Sequence, residues 1–410
     1  MTQHYDLIII GGGLNGLSLA SALAKSDLNI AIIDTIAAKD MQQTSFDGRT
    51  CAIAQAPKKM FEAIGVWDAM LSPLPGSPGV GEIRDIRIVD GYSPLFLHYD
   101  HKDIGDQPLG YIVENRVTRH ALLNFIADYN NINFIAPARC TSIDSLPHAN
   151  HITLDNGQQL TGSLLIAADG RGSQVRQHFG IKIHKAEYGQ TAIVCTAKHE
   201  KNHYGTAVER FLPSGPFAIL PLGGGHHSSL VWTQRDNEVP YFLAMSEDDF
   251  NDQMQQRFGD FLGNASVVGK RWHYPLTLAF TSRYTAQRCC LIGDAIHGIH
   301  PVAGQGLNLG LRDVAVLSEL IIDTHRNGMD IGTSDLTKQY ENLRAGDNFQ
   351  MIAITDALVR MFSNDIKPLK HARRLGLSAV ENLPMAKKFF MQHAMGVAGQ
   401  KSRLLRGEPL

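Results

Sequence analysis

The sequence lacks the features that mark several protein classes. It holds five cysteines in 410 residues, an odd number without CxxC spacing, which argues against a disulfide framework, a zinc ribbon and a dithiol redox centre. Its 38 Lys and Arg nearly balance 40 Asp and Glu, whereas a generic nucleic-acid binder is usually strongly basic. We therefore expect a reducing, cytoplasmic location and no nucleic-acid partner.

Long uncharged runs are also scarce. Residues 7–24 are almost free of charge, but Gly11–Gly13 and Asn15 interrupt them, and residues 1–6 contain no Lys or Arg. A secretory signal needs a positive segment before its apolar one, and no other apolar run has the length that a bilayer requires. The sequence predicts neither a signal peptide nor a membrane span; peripheral contact with the inner membrane face stays open.

Glycine, by contrast, is abundant and concentrated near the start. Tyr5–Ile10 and Asn29–Asp34 are continuous apolar runs, typical of strands buried in a parallel sheet. Between them, Gly11–Gly16 (GGGLNG) has the spacing G-x-G-x-x-G and opens a helical segment. These elements predict a βαβ unit whose loop binds a pyrophosphate at the helix N-terminus.

Each glycine of this motif has its own predicted task. Gly11 allows the tight turn, Gly13 lets the backbone approach a phosphate, and Gly16 permits close packing of helix on strand. Asp34 ends the second run, where a carboxylate accepts hydrogen bonds from ribose hydroxyls. FAD or NAD fits this pattern better than NADP, and a βα turn without a ligand is the alternative.

Two later segments place glycine after an apolar strand. Ser163–Ala168 runs into Asp169-Gly170, a pair common in structural turns, and another apolar run ends at Gly293-Asp294. The glycine-dense loop 300–308 leads directly into a helix. The N–H groups at such a helix start bind an anionic ring edge, such as the N1–C2=O side of a reduced flavin, and Asp294 is placed to hold ribityl hydroxyls.

The rest of the chain divides into two kinds of segment. Apolar strands with glycine-rich loops alternate with stretches of apolar–polar alternation that are typical of antiparallel strands. The predicted organisation is a nucleotide-binding domain of residues 1–78, 108–182 and 273–330, a second domain of residues 79–107 and 183–272, and a helical C-terminal region of residues 331–410.

Together these residues resemble a known family. The three motifs, in this order, are similar to those of the class A flavoprotein monooxygenases. His300–Asp313 (HPVAGQGLNLGLRD) is similar to the signature of the ubiquinone-biosynthesis hydroxylases, the family around the UbiH, UbiF and Coq6 enzymes. Asp47-Gly48-Arg49, Glu114-Asn115-Arg116, Arg373–Leu377 and Ala394-Met395-Gly396 fit this family as well.

The resemblance implies an α/β, p-hydroxybenzoate-hydroxylase-like fold, in which a Rossmann-like FAD-binding domain is interleaved with an antiparallel β-sheet substrate domain and followed by helices. It implies non-covalent FAD, with NAD(P)H as transient electron donor. It also implies transfer of one oxygen of O2 to the ring of a polyprenylated phenol in ubiquinone biosynthesis. The single G-x-G-x-x-G agrees with transient nicotinamide docking, because a fold for two nucleotides normally carries two such motifs.

The expected cofactor contacts come from all three motifs. Arg49 and Arg116 are expected at the FAD phosphates or ribityl chain, with a solvated surface position as the alternative. Asp169 is expected to support the FAD domain near the nicotinamide path, and Pro301 to lie near the reactive face of the isoalloxazine, which 304–308 line. The predicted cofactor-binding residues are Gly11, Gly13, Leu14, Gly16, Asp34, Arg49, Arg116, Asp169, Gly293, Asp294, Pro301, Gly304, Gln305, Gly306, Leu307 and Asn308.

The sequence shows no clear catalytic base. A phenol with a pKa of about 10 is mostly protonated at neutral pH, so a base or proton relay would favour the reactive phenolate. The candidates are His297, His300, Tyr188 and Tyr204, with Pro301 as a further catalytic candidate. The alternative is a domain that only positions the substrate and excludes water. No metal site is predicted, because no carboxylate or cysteine completes a ligand set around the close His pairs.

The C-terminal segment combines charge with apolar residues. Residues 367–410 contain nine Lys and Arg against two Glu, a net charge of +7, with interleaved Leu, Met and Phe. This composition predicts contact with an anionic membrane or an acidic partner; a helix packed on the FAD domain with a solvated basic face is the alternative. Partner Ubi proteins and a homo-oligomer stay open.

Two other functions stay open as well. A flavin-dependent reductase or oxidase would use the same cofactor motifs on another substrate. A flavin-stabilised scaffold subunit of a biosynthetic complex would keep the motifs without turnover.

Overall fold

Strands and helices alternate along most of the chain. The computed structural model describes residues 3–43, 48–93, 96–396 and 402–410, so Asp47 lies outside the described residues. The strands are β1 (Gln3–Ile10), β2 (Ile30–Ile33), β3 (Thr50–Ala54), β4 (Gly81–Ile83), β5 (Asp85–Asp90), β6 (Phe96–Asp100), β7 (Gly110–Glu114), β8 (Ile132–Ile135), β9 (Cys140–Ser145), β10 (Asn150–Leu154), β11 (Gln159–Ala167), β12 (His184–His199), β13 (Thr206–Leu212), β14 (Gly215–Pro221), β15 (His227–Arg235), β16 (Ala265–Phe280), β17 (Thr285–Ala286), β18 (Cys289–Leu291) and β19 (His297–Gly298). The helices are α1 (Leu14–Leu23), α2 (Ala38–Met41), α3 (Gln55–Ile64), α4 (Trp67–Leu71), α5 (Asn115–Ala127), α6 (Gln174–His178), α7 (Val239–Ala244), α8 (Glu247–Phe258), α9 (Gln305–Arg326), α10 (Ser334–Phe362), α11 (Lys367–Glu381), α12 (Pro384–Ala394) and α13 (Arg403–Arg406).

The first sheet has a parallel core. Its strands follow the order β17-β18-β11-β1-β2-β8, in which β18, β11, β1, β2 and β8 are parallel. β10 extends the sheet antiparallel to β11, and β9 pairs antiparallel with β10. Continuous apolar strands suit this position because both faces of the sheet are buried. Ile10 lies beside Ile33 and Ala167 in register. The loops that follow β1, β2 and β11 therefore open at one edge, as the predicted βαβ unit requires.

The second sheet is mostly antiparallel. Its strand order is β19-β16-β12-β15-β14-β13-β5-β6, and its outer face carries an aromatic core around Trp232, Phe242 and Phe250 under α7 and α8. One pair departs from the expected pattern, because β5 and β13 are parallel. The chain between these two strands contributes several strands to the first sheet. This long connection allows β5 and β13 to be parallel, because a parallel pair requires a crossover.

A small third sheet joins the other two, and the sequence did not predict it. β7 lies between β3 and β4 and is antiparallel to both. Thr50 of β3 contacts Ser229 of β15 through their hydroxyl groups at 2.9 Å. The N–H of Asn115 donates to the Arg49 carbonyl at 3.0 Å, so the segments of Arg49 and Arg116, far apart in the sequence, lie side by side.

The C-terminal region is helical, as predicted, and it packs against both sheets. α11 contacts β5 and β6, and Met391 and Met395 of the α12 region are buried beside Ile112. Leu404 and Leu405 of α13 belong to the core of the first sheet. The predicted α/β fold class is confirmed, whereas the residue limits of the domains stay a prediction. Across the described ranges, no helix is both long and apolar enough to cross a bilayer.

Candidate functional site

Backbone contacts fix the loop between β1 and α1. Gly11 has a φ of 109°, and its N–H donates to the Ile33 carbonyl at 2.8 Å. A Cβ on Gly11 would strike the Ala168 backbone, and one on Gly16 would strike the Gly11 carbonyl. Gly13 differs from both, because it is exposed at the start of α1 and a Cβ there would meet open space. The loop thus presents an open helix N-terminus.

A cleft of about 350 Å³ lies at the same edge of the first sheet, and Gly11, Asp34 and Asp169 are among its lining residues. Asp34 accepts the N–H of Gly12 at 2.6 Å and the N–H of Ile36 at 2.8 Å. These bonds orient the carboxylate at the cleft wall, and the side chain stays partly accessible. An oriented carboxylate beside an open helix start suits a ribose and a pyrophosphate.

Asp169 supports this edge from the end of β11. One carboxylate oxygen accepts the N–H groups of Gln174 at 2.8 Å and Val175 at 3.2 Å, so Asp169 fixes the start of α6. In the same segment, the Arg171 Nε donates to Asp294 at 3.2 Å. Arg171 therefore joins the Asp169-Gly170 segment to the Gly293-Asp294 segment. The sequence analysis gave no role to Arg171.

Side chains from distant segments hold the loop before α9. Gly304 has a φ of 62°, and a Cβ on it would strike Ala52 of β3. The Asn308 amide donates to the carbonyls of Ala52 at 2.8 Å and Gly304 at 2.9 Å, and its oxygen accepts the Ala54 N–H at 3.0 Å. The Asn308 side chain therefore positions the loop against β3. Pro301 is exposed where the loop begins.

The first turn of α9 is a second open helix start. Gln305 is buried, but Gly306 and Leu307 are partly exposed, and a Cβ on Gly306 would meet open space. N–H groups in a first turn have no partner within their helix, so they are available to an anionic ring edge. Leu14 of α1 is partly exposed in the same way. The two starts together fit FAD, with the pyrophosphate at α1 and the flavin edge at α9.

Asn15 lies between these two helix starts. A Cβ on Gly293 or on Gly310 would strike the Asn15 side chain, so both glycines allow α1 and α9 to pack closely. The sequence analysis treated Asn15 as a variable position of the glycine motif. Its pairing with Gly310 depends on helix packing, and no local pattern in the sequence signals it.

A buried ionic network anchors the turn at Gly293. Asp313 of α9 accepts the Gly293 N–H at 3.1 Å, the His297 Nε2 at 2.9 Å and the Arg344 Nε at 2.7 Å. Burial alone would raise the pKa of the Asp313 carboxyl, but Arg344 and His297 outweigh burial and lower this pKa to about 2. The fully buried His297 belongs to this network, and its place among the catalytic candidates stays a prediction.

His300 is the first residue of the loop before α9, and it is 1% exposed. Its Nδ1 accepts the Val302 N–H at 3.1 Å, which places the proton on Nε2, and Nε2 is buried without a hydrogen-bond partner among the described residues. Burial lowers the pKa of His300 to about 4. At neutral pH His300 is therefore an uncharged donor whose Nδ1 lone pair is occupied by the Val302 N–H, and its role as a base stays a prediction.

The two tyrosine candidates are unsuited to the role of base. The Tyr188 hydroxyl donates to Asp356 at 3.1 Å, and burial together with the Asp356 charge raises the pKa of Tyr188 well above its ordinary value. Tyr204 is 79% exposed and lines a separate surface pocket with Lys201 and His203. Tyr188 therefore stays protonated, and Tyr204 lies away from the loop before α9.

The two arginines predicted to contact FAD lie in different surroundings. Arg116 is 4% exposed, and its guanidinium donates to Glu114 at 3.0 Å and to the Gly76 carbonyl at 3.1 Å. These groups occupy the buried guanidinium of Arg116, and its contact with FAD stays a prediction. Arg49 is exposed at the start of β3 and stays a predicted contact.

Comparison with known proteins agrees with this geometry. The profile of the FAD binding domain family matches residues 4–346. The chain is 48% identical over 408 residues to the ubiquinone hydroxylase UbiL of Rhodospirillum rubrum, covering 99% of this chain and 93% of that protein. It is 30% identical to the ubiquinone hydroxylase UbiM of Neisseria meningitidis, covering 97% of this chain and 86% of that protein.

A solved structure shows the same fold at lower identity. The p-nitrophenol 4-monooxygenase PnpA of Pseudomonas putida superposes with a TM-score of 0.80, at 15% identity, over 98% of this chain and 100% of that one. The resemblance inferred from the motifs is confirmed, and so is FAD as the cofactor. The chain belongs to the FAD binding domain family, and within it to the group of the ubiquinone hydroxylases.

Proposed function

We propose that this protein hydroxylates the aromatic ring of a polyprenylated phenol in ubiquinone biosynthesis, with NAD(P)H as electron donor and O2 as oxygen source. The observation that carries the proposal is the pair of open helix starts, at Gly13 and at Gly306, in a chain that is 48% identical to a ubiquinone hydroxylase. When bound there, FAD supplies the activation of O2 and the transfer of one oxygen atom.

The proposed FAD contacts are divided between the two starts. The N–H groups at Gly13 and Leu14 bind the pyrophosphate, and Asp34 accepts the ribose hydroxyls. The first turn of α9 at Gly306 donates to the flavin edge. Asp294, whose side chain is 42% exposed and paired with Arg171, accepts from the ribityl chain.

Apolar side chains pack beside the loop that precedes α9. Val302 of this loop forms one buried cluster with Phe211, Val359 and Phe362, and the rings of Phe211 and Phe362 are 4.2 Å apart. Apolar surroundings favour an apolar chain and help to keep water away from a reacting oxygen. The apolar character of this cluster supports a prenylated substrate.

Isotopically labelled dioxygen tests the proposed function. Holoenzyme given NADH or NADPH and 2-geranylphenol is expected to form a ring-hydroxylated product that contains the label. Consumption of NAD(P)H without label in the product would instead support a reductase or oxidase. Bound flavin without any turnover would support the scaffold role.

We also propose that α11 and α12 contact a membrane surface, where a prenylated substrate resides. Apolar side chains are unusually exposed along these helices, and Met385 reaches 89%. Exposed apolar patches commonly mark interaction sites. The exposed apolar residues of this surface are Ile366, Leu375, Leu383, Met385, Phe389 and Phe390.

The basic charge of this segment is less available than the sequence suggested. Arg373 and Arg374 both bind Asp90, at 3.1 Å and 3.2 Å, and Lys387 binds Asp103 at 3.2 Å. These carboxylates come from outside residues 367–410 and neutralise part of the +7 charge. The proposed contact therefore depends mainly on apolar insertion and less on attraction to anionic lipid.

Flotation with vesicles tests this contact. The wild type is expected to float with both neutral and anionic vesicles, and a variant carrying Met385→Ser and Phe389→Ser is expected to stay at the bottom. Met329→Ser, at a methionine that is 56% exposed elsewhere, is the matched control. If the double variant floats like the wild type, the apolar residues do not make the contact. If the wild type floats with anionic vesicles alone, the basic residues rather than the apolar ones dominate membrane binding.

A further inference from the structure

β13 places a carboxyl group among apolar side chains on one face of the second sheet. Val208 and Leu212 belong to the outer core under α7 and α8, whereas Ala207 and Phe211 belong to clusters on the inner face. The pairing of β13 with both neighbouring strands is continuous. Because side chains alternate along a strand, Glu209 points to the inner face.

The surroundings of Glu209 extend to the loop before α9. Glu209 lies beside Ile88 of β5 and Ala218 of β14 in register. Ile88 packs into the same cluster as Phe211 and Val302, and Val302 belongs to that loop. Phe211, on the strand of Glu209, and Ile88, on the neighbouring strand, both pack with Val302. Glu209 therefore lies next to side chains that contact the loop before α9.

The Glu209 carboxyl has no described partner of its own. Among the described residues, no ion pair or hydrogen bond involves it, and burial is the one cause that raises the pKa of Glu209 to about 8. The side chain stays partly accessible. A carboxyl group that is accessible and has no partner among the described residues is available to a ligand.

Three arginines of the helices that cover this face are already paired. On α11, Arg373 and Arg374 bind Asp90, and on α10, Arg360 binds Asp356 at 2.8 Å. None of these groups contributes to the raised pKa of Glu209. A ligand therefore meets Glu209 as the titratable group that is free to exchange a proton.

Three further titratable groups border the same inner clusters. His300 is uncharged at neutral pH, because burial lowers its pKa to about 4. Tyr188 and Tyr99 stay protonated, because burial raises the pKa of both hydroxyls, for Tyr99 to about 12. These groups can donate hydrogen bonds, but at neutral pH they cannot remove a proton from a phenol.

We propose that Glu209 accepts the proton of the substrate's phenolic hydroxyl, an inference that rests on the proposed hydroxylase function. In this step the phenol O–H bond breaks and a new O–H bond forms on the Glu209 carboxylate. The electron pair stays on the phenolate oxygen and enriches the ring carbon that is hydroxylated. The step involves no change of oxidation state and needs no co-reactant.

The raised pKa makes Glu209 a suitable base. A carboxylate with a pKa of about 8 takes a proton from a phenol of pKa about 10 at a modest cost, whereas an ordinary glutamate is far weaker as a base. About a tenth of Glu209 is ionised at neutral pH. Hydroxylation is therefore expected to accelerate as the pH rises through about 8.

Glu209→Gln tests the proposal, with 2-geranylphenol as the probe. General-base catalysis typically contributes about 100-fold or more, so product formation is expected to fall by that factor and to lose its rise with pH, at unchanged flavin content. A fluorinated 2-geranylphenol, already ionised at neutral pH, is expected to bring the variant close to wild type. Glu187→Gln, at an exposed position of the same sheet, is the matched control.

Infrared difference spectroscopy reports the carboxyl group independently of turnover. The wild type is expected to show a carboxylic acid that titrates near pH 8, and Glu209→Gln to lack it. A variant with the wild-type rate and pH profile, or one that the fluorinated phenol does not rescue, would overturn the proton role alone. If the wild type forms no hydroxylated phenol, the hydroxylase function fails and the proton role fails with it.

Discussion

The two open helix starts, at α1 and at α9, present similar surfaces but are held in place differently. At α1, Gly11 bonds to a main-chain carbonyl of the neighbouring strand, and Gly16 packs on Gly11. At α9, Asn308 binds the main chain of β3, and Asp313 binds Arg344 of α10. The first start depends on contacts near in sequence or between adjacent strands, and the second on side chains from distant segments.

This difference predicts different sensitivities to substitution. Main-chain contacts survive most side-chain changes, so the α1 start is vulnerable mainly at its glycines. A buried charge is stable only while its partners are present, so the α9 start is vulnerable at single side chains. Substitutions at matched positions can therefore separate the two helix starts.

The largest effect is expected at the ionic network of the α9 start. Asp313→Asn leaves Arg344 and His297 without their buried carboxylate, and breaking a buried ion pair costs about 3–5 kcal/mol. Asp34→Asn, the matched change at the α1 side, removes hydrogen bonds of a partly accessible carboxylate and is expected to cost about 1–2 kcal/mol. Urea unfolding of the FAD-free proteins measures both, and equal losses would contradict the comparison.

Mild acid is expected to destabilise the α9 start next. His300 has a pKa of about 4 in the folded protein against an ordinary 6.5, so the unfolded chain binds a proton in this range and the folded chain does not. The free energy of unfolding therefore falls as the pH drops from 6.5 to 4, by about 3 kcal/mol from this residue.

Unfolding of His300→Gln at several pH values checks this contribution. The variant is expected to lose less stability in acid than the wild type, and the difference between the two curves isolates His300. His151→Gln, at an exposed histidine, should follow the wild-type curve. Parallel curves for His300→Gln and the wild type would show that the buried ring has no part in the acid response.

The smallest of the three effects is expected at the α1 start. Gly13→Asp projects a carboxylate into the space assigned to the pyrophosphate, and like charges in contact are expected to weaken FAD binding at least about 100-fold, or about 2.7 kcal/mol. The FAD-free protein should not lose stability, because the φ of Gly13 is −73° and Asp is a favourable N-cap.

Titration with FAD, followed by flavin fluorescence, measures the affinity. Gly13→Ala adds a methyl group without charge and should bind FAD more tightly than Gly13→Asp. If both variants bind FAD like the wild type, the pyrophosphate does not lie at this helix start.

Local patterns in the sequence predicted some parts of the molecule closely. The βαβ unit has the expected order, with α1 following the glycine loop directly. The loop that begins at residue 300 leads into α9, as predicted. These segments are governed by glycine spacing, apolar runs and capping, which act over a few residues.

Other features could not be predicted from local patterns because they depend on how side chains pack in the folded chain. Arg116 and His297 carry residue types that suit a ligand, but buried carboxylates occupy both. Glu209 shows the opposite case. An acidic residue in a strand ordinarily indicates the solvent face, and only its apolar neighbours on the inner face identify it as a candidate base.

The sequence by itself determined the glycine-rich loops, the strands that precede them and the family, because turns and helix starts require particular residues at fixed spacing. The tertiary structure decided which side chains are available for chemistry. Whether a charged group meets a ligand or another side chain depends on how the sheets and C-terminal helices pack. Asp313, Arg344 and His297 come from separate segments, so their pairing became visible only after folding.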